Sequence, residues 1–209
     1  VNSNRILREF SLAIEIVKKF KPTFLFLNGP VINPNTSEIY QSEVRKLINE
    51  MKEISKYSII AGIVEDSKNK KACEILSSLE FLNKESSLIL QKSNDIILMS
   101  NILDIFERSF IFEVEKNIYS FYLKNSLEDR PIRIEFFCEK NFEEIANKIA
   151  SAVILTKFSE SYSLPVPLIE ADLIARIEST KIEELYEVFM SKIGNLPSIL
   201  KLRRENRPY

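Results

Sequence analysis

Two continuous apolar runs on either side of an amphipathic helix constrain the fold of this chain more than any other feature. The runs are Thr23–Leu27 and Ser58–Val64, and neither contains a charged residue. Such a run is typical of a strand that is covered on both faces, as strands of a parallel sheet are. Apolar residues at helical spacing precede the first run, separate the two runs and follow the second. The order helix, strand, helix, strand, helix therefore predicts parallel α/β packing for the first part of the chain.

The middle of the chain predicts antiparallel strands instead. A helix near residues 95–106 is followed by three strand-like stretches at 110–114, 118–123 and 132–137. The link Glu115–Asn117 is short enough to join the first two stretches as a hairpin. We therefore expect an antiparallel section to be added to the parallel one.

Helices return at the end of the chain. Asn141 and Glu144 have the spacing of a capping box, which predicts a helix that reaches about residue 158. A second helix follows Pro167, and the pair Thr180 and Glu183 predicts the start of a third. Because no repeat or low-complexity linker interrupts the 209 residues, we expect one compact domain with a helical C-terminal part.

Composition excludes several classes of chemistry. The chain has no histidine, which excludes Ser-His-Asp and Cys-His nucleophilic sites and histidine zinc sites. Its 3 glycines cannot build a P-loop or a dinucleotide-binding loop. Cys73 and Cys138 have no metal-ligand spacing, and we predict that both are core residues of a protein from a reducing compartment. Carboxylate chemistry is left, with oxygen ligands suited to Mg²⁺ or Mn²⁺.

Charge and hydropathy narrow the partners. Lys and Arg number 29 against 30 Asp and Glu, so the net charge of −1 argues against a globally basic nucleic-acid binder but leaves room for a local basic groove. No apolar run approaches the roughly 20 residues of a membrane span, so we expect a cytoplasmic protein without membrane association. Two basic clusters could neutralise phosphates, although solvated charged segments are the alternative interpretation. The clusters are Lys68, Lys70 and Lys71 in a polar loop, and Arg203, Arg204 and Arg207 in the tail.

Candidate site residues follow from the rule that ligands of open α/β sheets gather at the carboxyl ends of the strands. The rule selects Asn28 after the first strand and Asp66 after the second. Glu9 lies about 60° from the first apolar residue of its helix, so its side chain can lean over the sheet. The alternative interpretation of Glu9 is a charge on the helix flank that pairs with Arg5 or Arg8.

Five segments, taken in order, resemble the NurA family of archaeal nucleases that process DNA ends. Leu7–Ala13 and Phe24–Val31 resemble the glutamate helix and the following D-G-[SP]-L strand of that family, and Ile59–Lys71 resembles its next strand and loop. Ile132–Phe136 resembles its strand with an R-x-E pattern, and Leu164–Asp172 resembles its Y-P-x-P-L-x-x-A-H segment. The resemblance extends from about residue 5 to residue 178.

The resemblance implies an RNase H-like α/β fold, a mixed sheet flanked by helices, as a single NurA-like domain over residues 1–209. It implies a nuclease that uses Mn²⁺ or Mg²⁺ in DNA double-strand-break processing, a homodimer, and a HerA-like hexameric ATPase as partner. Phosphodiester hydrolysis would depend on metal ions, held by carboxylates, that activate water and shield the leaving oxygen. The family's opening strands, which carry an aspartate in a D-G-S pattern, are expected to be missing from this chain.

Carried over residue by residue, the family's site is altered in this chain. The family's glutamate falls on Glu9, but its D-G aspartate falls on Asn28, its tyrosine on Leu164 and its histidine on Asp172. An amide is a neutral and weaker metal ligand than a carboxylate. The resulting catalytic candidates are Glu9, Asn28, Asp66 and Asp172, and the metal-ligand candidates are Glu9, Asn28 and Asp66.

Three hypotheses compete. The substitutions favour a NurA-like protein that has lost catalysis, wholly or in part, and acts as a DNA- or partner-binding subunit. The alternative is an active Mn²⁺-dependent 5′–3′ DNA exonuclease that uses Glu9 with Asp66 and Asp172 and with upstream residues missing here. A third hypothesis is a protein–protein module that docks on a translocase ring without binding DNA. Asp66 as a solvated turn residue, and Asp172 facing water or paired with Arg176, are the structural alternatives.

Overall fold

The computed structural model describes residues 2–32, 38–79, 83–176 and 179–193. Two compact units divide the chain, Val1–Ile169 and Glu170–Tyr209. The first unit holds the sheet and most of the helices, and the second holds the last part of one helix and the whole of another. None of the helices in the described segments combines the length and apolarity that crossing a membrane requires.

Helices alternate with strands in the first part of the chain, and strands then follow one another before the helices return. The helices of the described segments are α1 Asn2–Phe20, α2 Glu38–Ile54, α3 Lys71–Ser77, α4 Lys84–Lys92, α5 Asp95–Ile102, α6 Phe142–Leu155, α7 Val166–Ala175 and α8 Ser179–Ile193. The strands are β1 Phe24–Asn28, β2 Ile59–Val64, β3 Phe112–Glu115, β4 Ile118–Leu123 and β5 Ile132–Phe137.

The five described strands form one mixed sheet in the order β1-β2-β5-β4-β3. The two apolar runs of the sequence form its parallel pair, β1 with β2, in which Asn28 is the partner of Ile63. The remaining pairs are antiparallel, and β3 and β4 form the predicted hairpin around Asn117, whose φ is 64°. The prediction of a mixed α/β sheet flanked by helices is confirmed.

Apolar stripes cover both faces of the sheet. The stripes of α1 and α2 pack against strand residues such as Leu27 and Ile60. On the other face, α6 packs against residues such as Ile63, Phe121 and Phe136. Alternation of side chains along each strand is what lets one sheet have two such cores. Strand β2 is buried almost throughout, whereas β1 is half-buried because it is the edge strand of the described sheet.

Two predicted helix ends differ from the structure. Helix α5 ends at Ile102 rather than near residue 106, because Leu103 is extended and Phe106 has a φ of 66°. Helix α6 ends at Leu155 rather than near 158, because the chain bridges Lys157 to Pro165. Both shifts come from backbone pairing that sequence periodicity does not report.

The predicted capping box at Asn141 is wrong. Helix α6 does begin after Asn141, but this residue has a φ of 60° and its side chain makes no capping hydrogen bond. An N-cap that accepts from the helix normally has an extended backbone, which Asn141 lacks. Helix α4 was not predicted, although Asn83 caps it by accepting from the backbone N–H of Ser86 at 2.7 Å.

Candidate functional site

The turn that follows β1 crosses the face of β2 at a glycine. Gly29 has a φ of 124°, where a side chain would strain the backbone, and its N–H donates to the carbonyl of Ile63 at 2.9 Å. A Cβ built on Gly62 would lie 2.4 Å from the carbonyl oxygen of Gly29 and 3.1 Å from the amide nitrogen of Val31. Two of the few glycines in the chain therefore allow the turn to lie directly on the sheet.

Strand β5 supplies the side chain that holds this turn in place. Glu135 is 1% exposed, and its Oε2 accepts hydrogen bonds from the N–H groups of Val31 at 2.9 Å and Ile32 at 3.3 Å. Its Oε1 lies 2.9 Å from Nη1 of Arg133. Burial raises the pKa of Glu135, while the charge of Arg133 and the two backbone N–H groups act in the opposite direction. Glu135, balanced by the charge of Arg133, therefore holds the turn after β1 against the sheet.

Glu9 and Asn28 lie together at the edge strand. The charge of Arg5 and the nearby backbone N–H of Asn28 both favour the ionised form of the Glu9 carboxylate. Burial raises the pKa of Glu9, and these two neighbours only partly offset the effect. Glu9 therefore lies near the backbone of Asn28, whose side chain is exposed.

Asp66 lies in the polar loop at the carboxyl end of β2, three residues after Ile63, which is the partner of Asn28. Its side chain is 85% exposed, and Oδ1 is 3.9 Å from Nη1 of Arg130. Lys68 and Lys70 of the same loop are exposed, and Lys71 is half-buried at the start of α3. The structure thus places the predicted basic loop at the same end of the sheet as Asn28.

Two grooves open beside this loop, and Asp66 borders both. The larger has a volume of about 580 Å³ and is lined by the loop, by the turn at Pro30 and Ile32, and by Arg133. The smaller, of about 340 Å³, is lined by residues that include Asp129, Arg130 and Tyr162. The volume of the larger groove falls within the range of pockets that bind small ligands.

A buried carboxylate anchors the helix behind the basic loop. Asp95 accepts hydrogen bonds from the N–H groups of Ala72 and Cys73, at 3.1 and 2.9 Å, and from the hydroxyl of Tyr122 at 2.9 Å. Burial, reinforced by Asp95, raises the pKa of Cys73 to about 12. The Cys73 thiol is therefore neither a nucleophile nor a metal ligand at ordinary pH. Both cysteines are buried and free, as predicted.

The described side chains fit a two-metal site poorly. No group of three or more Asp, Glu or Cys side chains able to hold a metal ion occurs in the described segments. Asn28 offers a neutral amide, and burial raises the pKa of Glu9, which disfavours the ionised form of its carboxylate. A hard divalent cation prefers several ionised oxygen ligands. The charged partners that such a site needs are not assembled by the described residues alone.

Three further positions were selected from the family pattern or from charge: Asp172, Leu164, which lines the smaller groove, and the arginines of the tail. Asp172, on α7 in the second unit, is exposed, and its Oδ2 is 3.8 Å from Nη2 of Arg176, which is the pairing considered from the sequence. Leu164, at the position of the family's tyrosine, is a buried core residue. Arg203, Arg204 and Arg207 lie outside the described residues.

Sequence reasoning did not select Arg133 and Glu135 as site residues. Their alternation with apolar residues is typical of a strand with one solvent-exposed face, whereas the structure buries every residue of Ile132–Phe137. Charged residues are rarely buried unless they are paired. The burial of both charges on this central strand therefore indicates an ion pair with a task.

Taken together, these features define an α/β protein whose polar loops and charged side chains gather at the carboxyl end of a parallel strand pair within a mixed sheet. The NurA domain family matches residues 5–177, and the chain therefore belongs to the NurA family. The crystal structure of the NurA nuclease from Sulfolobus solfataricus has a similar fold, with a TM-score of 0.59 over 92% of this chain at 14% identity. This chain spans 66% of the length of that protein.

Proposed function

We propose that this chain is a DNA-binding member of the NurA family whose metal-dependent nuclease chemistry is weakened or lost. The observation that carries the proposal is the pair at the edge strand. Asn28 stands where the family has an aspartate, so the edge strand presents a neutral amide in place of a carboxylate beside Glu9. Several ionised carboxylates are needed to hold two metal ions at a scissile phosphate. DNA binding has better support than catalysis, because a loop with exposed lysines lies beside a groove.

A metal ion in such a site would supply Lewis-acid activation of water and of the leaving oxygen. In this chain Glu9, Asn28 and Asp66 are the residues that would hold it, as Mn²⁺ or Mg²⁺. Because they fit that role poorly, we assign no cleavage step to them. The role of the site is instead electrostatic, with Lys68, Lys70 and neighbouring cations facing phosphates.

The active exonuclease remains the alternative within the family. It would combine Glu9 with Asp66 and Asp172 and would draw further carboxylates from a part of the protein outside this chain. Asp66 is exposed and Asp172 pairs with Arg176, and both observations favour the weakened site over this alternative. Family membership also supports our proposals of a cytoplasmic homodimer, of a HerA-like hexameric ATPase as partner, and of a role in DNA double-strand-break repair.

DNA binding is tested by fluorescence anisotropy with labelled single- and double-stranded oligonucleotides over a series of salt concentrations. We expect binding that weakens steadily with salt, because phosphate contacts release counterions. No binding at low salt would contradict the proposal. A calorimetric titration with Mn²⁺ should give weak binding at best, and a tight stoichiometric site abolished by Glu9→Ala would refute the weakened site.

A protein-docking module is the second candidate, and an apolar stripe on α8 favours it. Ile182, Leu185, Tyr186 and Phe189 recur at helical spacing, and each is more than half exposed. Exposed apolar stripes of this kind mark surfaces that bind partners. Size-exclusion chromatography with light scattering tests the candidate. A homodimer that dissociates in Leu185→Asp but persists in Glu184→Gln would show that the stripe is a protein contact, and an unchanged mass in both variants would count against it. Because the first proposal also includes a homodimer, absence of salt-sensitive DNA binding by the wild type is what would favour docking over DNA binding.

A further inference from the structure

Arg133 is a buried cation with more hydrogen-bond donors than partners. It lies on β5 between Val64 of β2 and Tyr122 of β4, and it is 8% exposed. A guanidinium group carries five N–H donors, of which the described structure pairs one with Glu135, through Nη1 at 2.9 Å. The Nε atom is buried and has no hydrogen-bond partner among the described residues. Unpaired buried donors are rare in folded proteins and require an explanation.

Glu135 cannot accept a second hydrogen bond from this guanidinium through Oε2, because that oxygen accepts from the N–H groups of Val31 and Ile32. Arg108 shows the contrast within the same unit. Its Nε donates to Asn147 at 2.8 Å, its Nη1 to the carbonyl of Ser109 at 3.0 Å, and its Nη2 pairs with Glu143. Each nitrogen of the Arg108 guanidinium thus has an acceptor, whereas Nε of Arg133 has none among the described residues.

The groove of about 580 Å³ gives Arg133 access to a ligand. Lys68 lines the same groove, is exposed, and has no ion-pair partner among the described residues. Asp66, an acid on the border, is 3.9 Å from Arg130, which lines the smaller groove instead. Two acids and two bases line the larger groove, so their formal charges cancel, and Lys68 is the lining cation that is not paired with a carboxylate among the described residues.

We propose that Arg133 binds a backbone phosphate of a DNA strand in the larger groove, with Lys68 as a second, more mobile contact. The planar guanidinium fork matches the geometry of phosphate oxygens, and a lysine adds a point charge. This inference rests on the proposed DNA binding and names the residue that positions the strand. It also gives the Arg133–Glu135 pair a second role, because Glu135 orients the guanidinium and holds the turn beside it.

The test compares the wild-type chain with Arg133→Gln, Arg133→Lys and Arg45→Gln by anisotropy with a labelled single-stranded oligonucleotide over a salt series. Arg45 is an exposed residue of α2, so its variant controls for the loss of one charge. For Arg133→Gln we expect binding about tenfold weaker or more, and a log Kd–log salt slope reduced by about 1. Arg133→Lys should keep most of the slope but bind several-fold more weakly, and Arg45→Gln should behave like wild type.

The outcomes separate this inference from the proposed function. Absence of DNA binding by the wild type overturns both. Wild-type binding that both Arg133 variants reproduce in Kd and slope overturns only the inference. Circular dichroism establishes that each variant is folded, and if Arg133→Gln is not, a wild-type Kd for Arg133→Lys still overturns the inference. Displacement of the DNA by millimolar thymidine 5′-monophosphate would assign the site to a free nucleotide phosphate and overturn the backbone assignment.

Discussion

Replacing Gly62 with alanine tests the close contact between the turn after β1 and the sheet. The added Cβ would lie 2.4 Å from the carbonyl oxygen of Gly29 and 3.1 Å from the amide nitrogen of Val31. Both atoms belong to the backbone, so neither can rotate away as the end of a side chain would. Overpacking of this kind typically costs 1–3 kcal/mol, and we expect a value near the top of the range, about 3 kcal/mol.

The clash also reaches the buried carboxylate, because a displaced Val31 loosens its hydrogen bond to Glu135. For a chain of this size, about 3 kcal/mol corresponds to a fall in melting temperature of roughly 6–12 °C. Thermal unfolding followed by circular dichroism measures the fall, and urea unfolding gives the free energy directly.

Two comparisons make this prediction specific. Gly29→Ala places its Cβ in open space, so its cost is limited to backbone strain at a φ of 124° and should be the smaller of the two. Glu135→Gln should lower the unfolding free energy by about 3–5 kcal/mol, because it leaves the buried Arg133 uncompensated. In the double variant with Gly62→Ala, the losses should be less than additive, since both act through the turn. A loss under about 1 kcal/mol for Gly62→Ala, or full additivity, would refute the reasoning.

Three further predictions follow from the described contacts. Burial raises the pKa of Glu9 from its ordinary value near 4.5, so ionisation of Glu9 opposes folding and stability falls as the pH rises through the folded-state pKa. Glu9→Gln cannot ionise, so its stability relative to wild type should rise over that pH range in urea unfolding experiments, and a constant difference would contradict the assignment. Tyr122→Phe removes one hydrogen bond to buried Asp95 and should lower the unfolding free energy by about 2 kcal/mol with an unchanged m-value, whereas a loss below about 0.5 kcal/mol would contradict it. Cys73 and Cys138 should resist a thiol reagent in the folded protein at pH 8 and react fully in denaturant, and rapid labelling of the folded chain would show that the thiols are accessible.

The sequence predicts the part of the fold that depends on local patterns. The apolar runs of β1 and β2 are strands because each can be buried along its length, and the stripes of α1 and α2 are read directly from helical spacing. The Glu115–Asn117 link predicts the β3–β4 hairpin in the same way. Helix α4 was missed because none of its residues is buried, so it carries no strong apolar stripe.

The parts that were not predicted depend on contacts between residues far apart in the chain. In the sequence, Arg133 and Glu135 have the pattern of exposed charges. The structure buries them because the N–H groups of Val31 and Ile32, about a hundred residues away, donate to Glu135. The capping box at Asn141 fails because the backbone there is left-handed, which a residue pattern does not reveal. Glu9 and Asn28 were both selected from the sequence, but the approach of Glu9 to the backbone of Asn28 depends on how α1 packs beside β1.

Digestion of end-labelled single- and double-stranded DNA by the purified chain in the presence of Mn²⁺ tests the central claim most directly. Asn28→Asp serves as the attempted rescue and Glu9→Ala as the inactive control. Losing a preorganised group from such a site lowers the rate by about 10²-fold or more, so we predict little or no digestion by the unmodified chain. Robust digestion by the unmodified chain that is lost in Glu9→Ala would show that Asn28 is tolerated and that the chain is a working nuclease.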